Sequence, residues 1–226
     1  MTRARLSALA VVLVGLAACA TPPTYGPPYG PMPPPPPAPP SEGSGGSVLL
    51  DWRAIITPDD RSRLDRIDEA WRRALDQARR SEGSGDLLSV GALIDPHAMI
   101  ENAAPPPGMY RCRTVKLGYQ GATGLGFVVY GWFDCEISRT AQGLRLVKVT
   151  GSQRPSGLLF PEDDLGLVFL GSMALGDEPR ARSYGTNDER DFAARFERIG
   201  RQRWRLVIPW PENESTLDLI ELVPAS

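Results

Sequence analysis

The chain reads as a mainly β fold: an eight-stranded antiparallel meander barrel preceded by an amphipathic helix. Two observations point to it. From Gly108 onward, eight apolar or alternating runs occur at 109–117, 127–137, 144–151, 156–160, 166–175, 192–199, 203–210 and 216–223. Most of the links between them are turn-sized and rich in Gly, Pro, Ser or Asn, as a sequential antiparallel sheet requires. Eight such strands close most simply into a barrel.

The elements follow in chain order. Thr57-Pro58-Asp59-Asp60 is a helix start, with Thr57 as N-cap, Pro58 in the first turn and acids beside the positive helix end. Leu64, Ile67, Trp71, Leu75 and Ala78 recur at helical spacing, so one helix is expected over 58–80. Asp68–Arg72, Glu69–Arg73 and Asp76–Arg80 are acid-before-base pairs on its solvated face. A short second helix is expected over 87–93, so residues 47–107 form a helical region and 108–226 the barrel. Segment 192–199 fits a helix as well as a strand, and the Gly200-Arg201-Gln202 turn favours a hairpin. The run Leu167-Val168-Phe169-Leu170 is apolar on both faces, so something must cover its outside; the 58–80 helix is the candidate.

The N-terminus reads as an address. Arg3 and Arg5 precede an apolar stretch, 6–16, that is too short to span a bilayer. Leu16-Ala17-Ala18-Cys19 resembles the lipobox of bacterial lipoproteins, which implies cleavage after residue 18 and lipidation of Cys19. The alternative is an ordinary secretory signal cut after Ala20. Ala rather than Asp at position 20 implies, by the same resemblance, the outer membrane with the domain facing the periplasm. Residues 21–40 hold 12 of the 23 prolines, a polyproline II tether completing the segment 19–46.

Charge limits the partners. With 25 basic and 27 acidic residues the net charge is -2, which gives no basic face for nucleic acid. One histidine, His97, and three cysteines exclude most zinc sites, and no base or metal set for catalysis is evident, so a non-enzymatic role without cofactor is expected. With Cys19 lipidated, Cys112 and Cys135 are left to pair in an oxidising envelope. Placing them directly opposite one another sets Arg111 against Glu136 and Arg113 against Asp134, and turns Phe127, Val129, Phe133 and Ile137 inward. Extending the sheet with Ile137 opposite Leu144 brings Lys148 inside, near Lys116. These are the only lysines in the chain. Buried together they need an anion, supplied either by an acidic ligand or by Asp218 or Glu221. Arg154, in the Thr150–Pro155 link, is a further candidate anion contact.

The stretch Gly108-Met109-Tyr110-Arg111-Cys112-Arg113-Thr114-Val115-Lys116-Leu117-Gly118 carries a resemblance, together with Lys148–Arg154, Phe169-Leu170-Gly171, Glu189-Arg190-Asp191 and Trp204–Pro211. The chain resembles the bacterial domain of unknown function 4893 family over about residues 50–224. That likeness implies no activity and no functional residues. More loosely, a cysteine-bridged eight-strand meander is similar to lipocalin-like barrels and the metalloprotease inhibitors built on them. Those inhibitors insert a free N-terminus into the target, whereas here that end carries the expected lipid and tether. The leading expectation is a lipid-anchored envelope module that binds an acidic amphiphile in the barrel, or a protein at a rim patch of Val115, Leu117, Tyr130 and Trp132. Inhibition of an envelope hydrolase and a structural accessory role are the alternatives.

Overall fold

The computed structural model describes residues 51–81, 87–122, 124–187 and 189–225. The leader 1–18, Cys19 and the tether 19–46 lie outside the described residues. The strands are β1 (Gly108–Leu117), β2 (Phe127–Val129), β3 (Phe133–Thr140), β4 (Gly143–Lys148), β5 (Gln153–Pro161), β6 (Gly166–Leu175), β7 (Asp191–Gly200), β8 (Arg203–Pro209) and β9 (Leu217–Pro224). They pair antiparallel in the order β2-β1-β3-β4-β5-β6-β7-β8-β9, and β1 also pairs with β9. This closes an eight-stranded barrel, because β2 and β3 share one edge of β1 as a single strand interrupted at 130–132. Segment 192–199 is a strand, as the neighbouring turn implied.

Cys112 and Cys135 are bonded, with 5.9 Å between their Cα atoms. The register around them differs from expectation by two residues. Cys112 lies opposite Phe133 and Cys135 opposite Tyr110, so the disulfide is diagonal. Arg111 therefore meets Asp134 rather than Glu136, and Arg113 pairs with Glu221 of β9 at 2.6 Å. The next hairpin is displaced by the same amount, with Ile137 against Leu146 and Cys135 against Lys148. The cause is its two-residue turn, Ala141-Gln142, which draws Thr140 opposite Gly143. A shift of two preserves the faces, so Lys116 and Lys148 still point inward.

The interruption at 130–132 has the opposite effect. Arg111 pairs with Asp134, but Val115 pairs with Val129, a slip of one residue. A one-residue slip reverses the faces. Phe127 consequently packs outside, with the helices, instead of inside, and Val129 is partly exposed.

The expected single helix is two, α1 (Pro58–Asp65) and α2 (Ile67–Arg80), broken where Arg66 leaves helical ψ at 22°. Thr57 caps α1, its Oγ1 accepting from the Asp60 N–H. Of the three acid–base pairs on the helices, Asp76–Arg80 forms at 2.6 Å among the described residues. Ala70, Trp71, Ala74, Leu75 and Ala78 of α2 pack on Val115, Leu117, Val207, Leu217 and Leu219. Val115 and Leu117 are therefore covered rather than part of a rim patch. The outside of β6 is covered by Trp52, Ile56 and Leu64, so α1 and the turn before it do what was expected of the whole helix. Each fully buried Leu or Phe of these layers contributes about 1.5–3 kcal/mol.

Between β6 and β7 runs a long segment, 176–190, strapped to α1. The Tyr184 hydroxyl donates to Asp60 Oδ2 at 2.6 Å and accepts from the Thr57 N–H at 3.1 Å. Burial first, then the Asp60 carboxylate, pushes this phenol above its ordinary range. Tyr184→Phe leaves Asp60 short of one donor and should cost roughly 1–2 kcal/mol. Urea unfolding measures it; a change below about 0.3 kcal/mol would mean that the strap holds nothing.

Candidate functional site at the barrel mouth

The two ends of the barrel differ. One is closed by tight turns at 141–142, 162–165 and 201–202. The other carries the longer links 118–126, 149–152, 176–190 and 210–216. The interior is filled from the closed end upward. Tyr110 and Trp204 pack edge to face at 5.8 Å, and Phe169 lies 5.2 Å from Phe192. Gly157 and Gly171 face one another across β5 and β6, and a Cβ on either would fall on the Phe169 ring. The glycines let that ring fill the middle of the barrel.

Above this packing a cavity of about 430 Å³ opens at the mouth. Met173, Phe192 and Ile208 give it an apolar floor, and Lys116, Asp218 and Gln153 stand in its wall. Arg63, Glu189, Arg190 and Glu212 are charged groups of the rim. Arg63 reaches it from α1 and bridges Glu212 at 2.9 Å.

Lys116 and Asp218 are cross-strand partners in β1 and β9. The Lys116 ammonium lies 3.4 Å from Asp218 Oδ2 and 2.8 Å from Glu214 Oε2. Burial would lower this lysine, but Asp218 and Glu214 outweigh it, and its pKa rises. Burial pushes the Asp218 carboxyl up, more than Lys116 and the Ser215 hydroxyl pull it down. Lys116 is thus neutralised within the protein, by one of the two acids anticipated. The other, Glu221, lies on the outer wall with Arg113 and Arg203.

Lys148 is placed differently. Only 4% exposed, it donates to the Gln153 carbonyl at 2.8 Å and lies 4.1 Å from the centre of the Phe133 ring. No carboxylate lies within 4 Å of it among the described residues. Burial, then repulsion from Arg154, lowers it to about 8. The turn that follows folds over it at Gly151, whose φ of +95° suits glycine. A Cβ there would lie 2.8 Å from the Lys148 Nζ. Lys148 stands behind Gln153 rather than in the cavity surface itself.

Arg154 is engaged elsewhere. Its Nη1 donates to the Gly151 and Gly176 carbonyls, both at 2.7 Å, and its Nη2 to that of Glu178. It joins the β4–β5 turn to the 176–190 segment. His97 lies exposed beside Asp95, which accepts its backbone N–H. Among the described residues no cluster of three His, Cys, Asp or Glu side chains is placed to hold a metal. Sequence reasoning missed Arg63, Glu189 and Arg190 as rim residues. The triplet Glu189-Arg190-Asp191 drew notice only as part of a resemblance, and Arg63 sits on what reads as a solvated helix face.

The fold and site together define an antiparallel β-barrel protein with a charged, apolar-floored cavity at one mouth. The chain belongs to the family described as Domain of unknown function (DUF4893), whose model matches residues 52–222. Neither a curated protein nor a solved structure matches it.

Proposed function

We propose that this protein is a non-enzymatic, lipid-anchored envelope module that holds a small acidic amphiphile at the barrel mouth. Lys148 carries the reading: a buried ammonium with no carboxylate within 4 Å among the described residues, bonded to Gln153 in the wall of a cavity with an apolar floor. A buried charge without a counter-ion is costly, and the acid group of a ligand relieves it. The floor of Met173, Phe192 and Ile208 takes the apolar part. The address rests on the lipobox at Leu16–Cys19 and on Ala20, which favour anchorage to the outer membrane facing the periplasm. The Cys112–Cys135 disulfide suits that oxidising compartment.

Decanoate and decanol are the probes. The full chain should bind decanoate at least tenfold more tightly than decanol, and Lys148→Met should remove that preference. Equal binding of the two, or a preference unchanged in the variant, overturns the reading. Native mass spectrometry of the chain isolated from its own envelope identifies the natural occupant. A second reading, a protein partner at the rim, is favoured by Val129, Tyr130 and Trp132, each 39–42% exposed where β2 gives way to β3. Alanine at Tyr130 and Trp132 tests it by co-purification.

A further inference from the structure

A second cavity, of about 470 Å³, lies beneath the 176–190 segment. It shares Met173, Glu189 and Arg190 with the mouth and adds Arg180 and Arg182. Arg180 and Arg182 are exposed and make no hydrogen bond or ion pair among the described residues. Arg190 is partly buried; its Nη2 lies 3.7 Å from Glu178 Oε1, and its Nη1 is shielded from solvent with no partner. Ser172 lines the same cleft, and its fully buried hydroxyl also has no partner. Asp191, opposite Ser172 across β6 and β7, has an Oδ1 that is likewise buried without a partner, so unmatched polar atoms of both kinds gather here, each costing about 1–3 kcal/mol.

The lining selects the occupant. Arg180 and Arg182 are the cations of this lining without a carboxylate partner among the described residues; Arg190 faces Glu178, Glu189 lines the wall, and Asp191 stands opposite Ser172. Glu178 is already engaged, its Oε2 accepting from the Leu175 N–H at 2.8 Å. Forked guanidinium groups and a hydroxyl suit an oxyanion with several acceptor oxygens. The cleft is also held in shape. Asp191 Oδ2 accepts from the Gly185 and Asn187 N–H groups, Tyr184 is strapped to α1, and Arg154 grips the Gly176 and Glu178 carbonyls.

We infer that the cleft formed by Arg180, Arg182, Arg190 and Ser172 is a binding site for a phosphate-class oxyanion, adjoining the amphiphile site at the mouth. The group comes either from free phosphate or from a phosphorylated lipid headgroup.

Calorimetric titration of the full chain in detergent with inorganic phosphate, at constant ionic strength, tests it. Binding should weaken at least tenfold in R180Q/R182Q and about threefold in S172A, and stay unchanged in K148M. The two arginines hold nothing else among the described residues, so the double variant should keep its unfolding midpoint; S172A supplies an independent reading should it not. No phosphate binding, or equal binding in the parent and R180Q/R182Q, overturns the site. Loss in K148M as well would move the phosphate to the mouth and overturn it too. Glycerol 3-phosphate separates the sources: bound more tightly than phosphate it assigns a lipid headgroup, bound less tightly it assigns the free ion.

Discussion

Arg205→Met should lower stability by about 3–5 kcal/mol, read as a shift in the urea unfolding midpoint. Arg205 lies on the outer wall of β8 and is 0% exposed. Its Nε and Nη2 both reach Glu197 Oε2 at 2.7 Å. Its Nη1 donates to the carbonyls of Leu93 at 3.0 Å and Asp95 at 2.6 Å, and its face lies 4.9 Å from the Trp71 ring. One guanidinium thus holds the 88–96 segment and α2 against the barrel. It is also the centre of a cross-strand ladder, Glu197–Arg205–Glu221–Arg113, running over β7, β8, β9 and β1. Removing it leaves Glu197 buried, with Arg195 at 3.5 Å as its remaining cation among the described residues, and strands several carbonyls. The double variant Glu197→Leu, Arg205→Met should regain more than half of the loss, because most of the penalty is the orphaned charge rather than the missing pair. A single-variant loss below about 1 kcal/mol would mean that the segment is held by its apolar contacts alone.

The ladder marks the boundary of what sequence reasoning reads. Strand number, order and inward face follow from period-two patterning, because burying one face of a strand imposes it. The cysteine pair and the inward lysines follow from the same parity. What escapes is information held in a few backbone angles. The two-residue turn at Ala141-Gln142 lacks the Asn-Gly or Asp-Gly signal that announces such turns, and the strand interruption at 130–132 is marked only by Gly131. The first moves a register by two and leaves the faces alone. The second moves it by one and turns Phe127 outward. Nothing in the sequence marks Glu197 and Arg205 as buried, because no local pattern announces that 88–96 will cover them, and Glu221, expected as a partner for the inward lysines, joins them on the outer wall instead. The mouth is half legible for the same reason. Its wall comes from strand parity, but Arg63, Glu189 and Arg190 arrive from a helix and a long link whose placement only the folded chain decides.

Lys148→Met should stabilise the ligand-free protein by about 2 kcal/mol at pH 7, while removing its preference for an acidic ligand. Lys148 titrates at about 8 in the folded state against an ordinary 10.5. Below pH 8 folded and unfolded chains both carry the proton, and the native state bears the full penalty of the buried charge, about 3 kcal/mol. Losing the bond to the Gln153 carbonyl returns about 1 kcal/mol of that. Between pH 8 and 10.5 the unfolded chain binds more protons than the native one, so wild-type stability rises with pH and the variant's advantage disappears. Lys116, Tyr110 and Tyr184 titrate alike in both proteins, so the difference between the two urea series isolates Lys148. A variant less stable than wild type at pH 7, or an advantage that persists at pH 10, would mean that the ammonium already has its counter-charge. Decanoate supplies the converse experiment. An acid group at the mouth raises the Lys148 pKa and should stabilise the wild type below pH 8, whereas the methionine variant gains only what its apolar floor provides. A site that is destabilising when empty and stabilising when filled is held for its occupant.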